Sequence, residues 1–375
     1  MKTWRPSLAL AATSTLLSLA ALEVGLRATG FDPLRGLREG RELIVRVSAN
    51  PEIGYELVPG ARGHAWGTDV VVNSAGFRGD EPSDDDEGRR RILVLGDSIT
   101  FGNDLPAESA YPHQLGRRLS THDPRWEVLN FGVGGYDTLQ EVAQFEQRGV
   151  RFRPELVIVG FSLNDAGVVS VNRRHIERHR RYGENPLVRR SRLLQFVLSR
   201  WERRYIADYV DAQSRSDVFR EMFRDRIDPI GDGERELLTL MEGVPARFPS
   251  SWYGDPARVG RIRHAFRRLA TLALEHDSTV VVLIVPRLES GLSGYPHEAA
   301  HRIVAHEARR QGFAVVDPTG AFLEAGMGAL RVDPNERGHP NEAGHRLLAR
   351  ELERWVVTHF EPGGGMQPPR SGETS

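Results

Sequence analysis

Arg91-Ile-Leu-Val-Leu-Gly-Asp-Ser-Ile-Thr100 is the stretch on which the reading of the fold turns. A short apolar run closing on a glycine has the pattern of a strand buried on both faces of a parallel sheet. Gly96 permits a tight turn, and a serine just beyond it presents its hydroxyl and backbone N–H at the sheet edge. Toward the C-terminus, helical and strand patterns alternate. A helix at 110–120 leads to a strand at 127–130, a helix at 139–149 and a strand at 156–160. After a long interruption, a helix at 256–275 precedes 279–285, the strongest strand pattern in the chain. A helix at 298–310, a strand at 313–316 and a helix at 341–357 complete the series. Five strands with helices between them predict an α/β fold: a parallel sheet covered on both faces, with ligands at the carboxyl ends of its strands.

The polar residues collect at those ends. Ser98 follows the first strand; Asn130-Phe-Gly-Val-Gly-Gly-Tyr-Asp-Thr138 follows the second, and its glycines let backbone N–H groups approach a ligand. Gly160-Phe-Ser-Leu-Asn-Asp165 follows the third and brings Asn164 to the same edge. Asp333-Pro-Asn-Glu-Arg-Gly-His-Pro-Asn-Glu-Ala-Gly-His345 runs into the last helix. A hydroxyl, glycine amides, a carboxamide and an imidazole with nearby carboxylates are the inventory of acyl transfer: nucleophile, base and oxyanion donors.

These four blocks, in this order, resemble the SGNH or GDSL hydrolase superfamily across roughly residues 91–357. The resemblance implies a flavodoxin-like three-layer α/β/α sandwich and an enzyme that hydrolyses or transfers acyl esters. Carried onto this chain, it makes Ser98 the nucleophile and its own N–H an oxyanion donor. Gly135 supplies the second donor through its backbone, Asn164 the third through its side chain, and His339 is the general base. The chain departs from the family pattern twice. Glu336 stands three residues before His339, where the family usually has Asp, and Asp333 lies three further back. Either carboxylate can orient the imidazole, with Glu336 ranked first; a Ser-His pair without an acid is the third option. Ser162 replaces the usual glycine ahead of Asn164. Asn73-Ser74-x-Gly76-Phe77-Arg78 and the hydrophobic N-terminus also resemble a bacterial membrane-anchored branch of the superfamily.

Other motifs compete. His297-Glu298-Ala299-Ala300-His301 fits the H-E-x-x-H zinc-peptidase pattern. Pro296 would place His297 in the first helical turn, and the helix falls where a covering layer is expected. Asn164 and Asp165 could simply cap a helix. His345 reads as structural.

The chain has 375 residues, no cysteine and a formal net charge of -1. Absence of cysteine excludes disulfides, thiolate metal sites, a cysteine nucleophile and a lipidated cysteine. A charge so near zero gives no global field for nucleic acid. Lys2 and Arg5 precede an apolar run from Leu8 to Leu22, giving residues 1–27 the form of a signal-anchor or a cleavable signal peptide. As an anchor it leaves the positive end inside and sends the rest out of the cytoplasm. Ser18-Leu19-Ala20 is the candidate cleavage site of the secreted alternative.

Residues 28–90 form a polar lead-in of short strands and turns, with an acidic run, Asp84-Asp85-Asp86-Glu87, read as a solvated loop. Residues 91–360 form the hydrolase domain, and 361–375 a disordered tail. The interruption at about 168–249 is dense in arginine from Arg173 to Arg204. It reads as a solvated helical insertion with Leu193, Leu194, Phe196, Val197 and Trp201 packed on the core, or as a lid for an anionic substrate or lipid headgroups. Three functions follow in rank: an extracytoplasmic esterase or acyltransferase needing no metal or cofactor, acting on a small ester or an O-acetylated carbohydrate; a catalytically silent binding or assembly protein; and a zinc peptidase.

Overall fold

The computed structural model describes residues 4–31, 44–83, 88–167, 185–289, 294–335 and 337–360. Helix α1 (Trp4–Ala28) comes first. Two antiparallel hairpins follow: β1 (Val45–Val47) with β2 (Tyr55–Leu57), and β3 (Arg62–Ala65) with β4 (Thr68–Val71). The central sheet contains β5 (Arg90–Gly96), β6 (Trp126–Asn130), β7 (Leu156–Phe161), β8 (Thr279–Ile284) and β9 (Ala314–Val316). All pairings within it are parallel, in the order β6-β5-β7-β8-β9. This is the flavodoxin-like order. The chain turns back on itself between β6 and β7, so the crevice beyond β5 is the place for a ligand.

Between the strands lie α2 (Ser98–Phe101), α3 (Tyr111–Leu119) and α4 (Thr138–Gln144). The interruption holds α5 (Pro186–Arg190), α6 (Arg192–Ser214), α7 (Ser216–Met222) and α8 (Arg235–Glu242). Then come α9 (Pro256–Glu275), α10 (Glu298–Arg310), α11 (Thr319–Ala325) and α12 (Glu342–His359). Alternate residues of each strand serve opposite faces. Leu93, Leu95, Val157, Val159, Val280 and Val282 pack under α4, α9 and α10. Ile92, Val94, Leu156, Ile158, Val281 and Leu283 pack under α3, α11 and α12. Burial on both faces explains why these strands read as continuous apolar runs.

The predicted helix at 139–149 stops being α-helical at Gln144 and continues as a π turn through Gly149. A Cβ on Gly149 would lie 2.9 Å from Leu93, so the turn is drawn close against the sheet. The lead-in is less peripheral than its polarity implied. Ile44, Ile53, Tyr55, Leu57, Val70 and Val72 join Phe101, Val133 and Tyr136 in one buried cluster. The acidic run at 84–87 and the tail from 361 lie outside the described residues, as do Arg173, Arg174, Arg178, Arg180 and Arg181.

The insertion divides in two. Phe219 of α7 packs with Ala257 of α9, and Leu237 and Met241 of α8 enter the main core. The start of α6 instead docks on α1. The Glu23 carboxylate accepts from the backbone N–H groups of Arg192 and Leu193 at 2.9 and 2.8 Å and from Ser191 Oγ at 3.0 Å. Phe196 meets Phe31 edge to face. Leu194, Val197 and Trp201 are exposed, contrary to the expectation that they pack on the core, because α1 rather than the sheet layers receives this helix.

Gly132 sets the spacing between the loop after β6 and α2. A Cβ there would lie 2.3 Å from the backbone nitrogen of Phe101. Gly132→Ala is therefore expected to destabilise the fold by about 2 kcal/mol, read as a lower denaturant midpoint. An unchanged midpoint would show that the two segments can separate freely.

Candidate active site

Ser98 is the first residue of α2, and Asp97 caps that helix by accepting from the Ile99 N–H at 2.9 Å. Gly96 has φ +157, and a Cβ there would lie 2.0 Å from Thr100 Oγ1, so the turn out of β5 is open only to glycine. Helix α2 ends at once on left-handed Gly102. The buried carbonyls at and just beyond its end are gathered by a residue from the lead-in. Arg78 Nη1 donates to Phe101 O and Gly102 O, and Nη2 to Leu105 O, all at 2.7 Å. Its guanidinium lies over the Phe101 ring and is almost wholly buried. Burial pulls its pKa down to about 10, with Glu108 opposing, so it stays charged at neutral pH.

The glycine loop is held against the same turn. Asn130 Nδ2 donates to Thr100 O at 2.9 Å, and its Oδ1 accepts from Gly132 N at 2.9 Å. Tyr55 Oη donates to Gly134 O at 2.7 Å. Gly135, at φ +83, is partly exposed at the loop's apex. Among the described residues, neither the Ser98 nor the Gly135 N–H donates to a protein acceptor.

Asn164 sits in a single 3-10 turn, Leu163–Ala166, with Nδ2 3.3 Å from Asp97 Oδ2. Beneath this turn is a buried acidic layer that the sequence did not reveal. Asp137 pairs with Arg261 at 2.9 Å, and Asp165 accepts from Thr138 Oγ1 at 3.0 Å. Arg258 and Arg261 donate to the carbonyls of Ala166 and Gly167. Burial, then the charges of Asp165, Asp97 and Asp137, push the Glu141 carboxyl well above its usual range. Burial and the neighbouring Asp97 and Asp137 do the same to Asp165. Burial also raises Asp97, against the Ile99 amide, His339 and Asn164.

His339 reaches across from the loop before α12. Its Nε2 lies 2.8 Å from Ser98 Oγ, although the residues are 241 apart in sequence. The loop is pinned at several points. Asn341 caps α12 through Oδ1, while its Nδ2 donates to Ala329 O and Arg331 O. Arg331 donates to Leu288 O, and Leu288 N to Arg337 O. His345 is buried, stacks on Tyr111, and accepts from the Tyr111 N–H through Nδ1 at 3.1 Å. It is structural, as its place on α12 implied.

Of the two candidate acids, Asp333 is exposed and accepts from Asn335 N at 2.7 Å, closing its own turn. Glu336 lies outside the described residues. The zinc-peptidase pattern is not brought together as a site. His297 is the N-cap of α10 rather than part of it, buried 2.5 Å from Ser250 Oγ, and burial pulls its pKa down to about 4 against Glu289. His301 instead lies 2.9 Å from Asp317 and 3.2 Å from Tyr295 Oη, and Glu298 is exposed. Among the described residues, no group of three or more such side chains is placed to hold a metal ion.

A family profile described as GDSL-like Lipase/Acylhydrolase matches residues 94–347. The chain belongs to this family. The match spans the turn of Ser98, the glycine loop, the Asn164 turn and the His339 loop, bearing out the resemblance drawn from those four blocks. An arylesterase from Vibrio mimicus is 30% identical over 79 residues, which are 21% of this chain and 40% of that protein. The match thus spans well under half the length of this curated relative. Among solved structures, LAE5, an alpha/beta hydrolase enzyme from the metagenome of Lake Arreo, aligns at 16% identity and TM-score 0.41. That alignment covers 70% of this chain and 93% of the other. Axe2, an acetylxylan esterase from Geobacillus stearothermophilus, aligns at 17% identity and TM-score 0.38, covering 72% and 95%.

His345 gives a pH test of this packing. Burial pulls its pKa from 6.5 down to about 3, with the charges of His339 and Arg78 adding to the effect. As pH falls below 6.5, the unfolded chain binds a proton that the folded chain refuses until about 3. Stability is therefore lost on acidification across that window. Denaturant midpoints taken between about pH 7 and pH 4.5 should fall less steeply in His345→Gln than in the wild type. Parallel slopes would mean the imidazole is protonated in the native state.

Proposed function

We propose that the protein is a serine esterase in which Ser98 and His339 form the catalytic pair. The observation that carries the reading is the 2.8 Å approach of Ser98 Oγ to His339 Nε2, beyond the carboxyl end of β5. Family membership supports the reaction class, and the crevice beside the point where strand order reverses supports the place.

In this mechanism Ser98 Oγ bonds to the acyl carbon while His339 Nε2 takes the hydroxyl proton. The carbonyl electrons move onto oxygen. The undonated N–H groups of Ser98 and Gly135 and the Asn164 side chain receive that oxyanion; one such donor is worth about 100-fold or more in rate. The C–O bond to the alcohol breaks as His339 returns the proton to it. Water then repeats the sequence on the acyl-serine and releases the acid. Glu336 is the preferred orienting acid, since Asp333 already closes a turn in solvent.

The substrate class we favour is an O-acetylated carbohydrate outside the cytoplasm. Helix α1 supports this location, because Ser7–Ala28 is apolar, unburied and long enough to cross a membrane. Lys2 and Arg5 would stay inside and the catalytic residues would face outward.

The test is covalent labelling of the full chain, in detergent, by a fluorophosphonate. Wild type should label and Ser98→Ala should not; His339→Ala should lose roughly 1,000-fold or more in kcat on an acetyl ester. Glu336→Gln should cost about ten-fold or more and Asp333→Asn less than about three-fold. A folded wild type that neither labels nor cleaves would point instead to a silent binding protein.

A further inference from the structure

The loop that carries His339 is joined to a cluster in which positive charge outnumbers negative. Glu289, just beyond β8, is a buried carboxylate facing three guanidiniums. Arg287 Nε donates to its Oε1 at 2.7 Å, Arg247 Nη2 donates to its Oε2, and Arg337 Nη1 approaches Oε2 at 3.4 Å. His297 Nε2 lies 3.7 Å from Oε1 and adds no charge near neutral pH, its pKa being about 4. One carboxylate cannot neutralise three guanidiniums, so the cluster keeps a surplus of about two positive charges among the described residues. The whole chain has a net charge of -1, so this surplus is local.

The surplus is also reachable. The side chains of Arg247 and Arg337 are 49% and 52% exposed. Beside them Phe248 is 57% exposed, standing edge-on to Trp252 and 5.9 Å from the Arg287 guanidinium. Both ends of this wall lie on segments that carry site residues. Arg337 is two residues before His339, and its carbonyl accepts from Leu288 N at 2.8 Å. Trp252 packs on Gly167, whose N–H donates to Asn164 O.

An exposed aromatic ring offers a face to the apolar side of a sugar. Half-free guanidiniums take a carboxylate by paired N–H donors. We propose that this wall is a subsite for an acidic sugar, so that the ester substrate is a carboxylate-bearing glycan rather than a neutral one. The proposal rests on the esterase reading but has its own readout.

Partly acetylated oligogalacturonate and acetylated xylo-oligosaccharide of equal length serve as acidic and neutral probes for the full chain in detergent. The wild type should favour the acidic ester in kcat/KM by on the order of ten-fold, with the ratio shrinking as salt is added. The double variant Arg247→Gln/Arg337→Gln should bring the ratio near one, while Arg309→Gln on α10 should leave it as in wild type. Equal rates on both esters, or a preference that survives the double variant, would overturn the subsite. Calorimetry of both probes on Ser98→Ala separates this inference from the catalytic one. Tighter binding of the acidic probe that depends on Arg247 and Arg337, where the wild type cleaves neither ester, would keep the subsite and discard the esterase. Equal binding of the two probes, with no cleavage by the wild type, would discard both.

Discussion

A helix of four residues cannot stabilise itself, because it fixes backbone dihedrals for almost no internal hydrogen bonds. Ser98 begins such a helix, and its position therefore depends on what grips the turn from outside. The grip comes from three directions. Asp97 caps the N-terminus, Asn130 takes the Thr100 carbonyl, and Arg78 gathers the carbonyls of Phe101, Gly102 and Leu105. Among the described residues Arg78 donates to carbonyls and to no carboxylate, so its charge is satisfied by dipoles, which are strong acceptors in a dry interior. The lead-in thus belongs to the site's support even though none of its described residues hydrogen-bonds to Ser98 Oγ.

The four loops at the sheet edge are coupled to one another rather than merely adjacent. Asn164 leans on Asp97, so the turn after β7 is referenced to the turn after β5. The glycine loop is tied to α2 through Asn130 and to the first hairpin through Tyr55. The His339 loop is braced by Arg331 and Asn341 and backed by neutral His345. Below them, Glu141 and Asp165 share the interior with Asp97 and Asp137, and among the described residues only Asp137 has a guanidinium partner. Burying acids this way favours their protonated forms, which limits the negative charge near the serine.

Much of this was legible in the sequence. The α9 and α10 limits match the predicted 256–275 and 298–310, because Asp255-Pro256 and Pro296-His297 are local start signals. The buried strands stood out as apolar runs for the same local reason. The loops that hold Ser98, Gly135, Asn164 and His339 could be nominated because each stands where a strand ends or a helix starts; the choice of Gly135 and His339 within them, and the role of each residue, came from the resemblance to the GDSL family. One expectation failed at longer range, and one competing motif, ranked last, did not assemble as a site. The apolar side of α6 was assigned to the core but docks near α1 and leaves Leu194, Val197 and Trp201 exposed. The H-E-x-x-H spacing was real, yet His297 caps the helix and His301 turns to Asp317.

What the sequence alone determined was the succession of elements, the two-sided burial of the sheet and the chemistry available at its edge. Periodicity, caps and glycine turns report the backbone over a few residues, which is enough for those. The tertiary structure decided which polar groups meet: Ser98 with His339 across 241 positions, Arg78 with the carbonyls of α2, Glu289 with three arginines. Such pairings depend on which loops the strand order brings to a common edge, and on which charges are then shut away from water. No local pattern in the chain encodes that meeting, since desolvation and Coulomb interaction act between residues that only the closed fold makes neighbours.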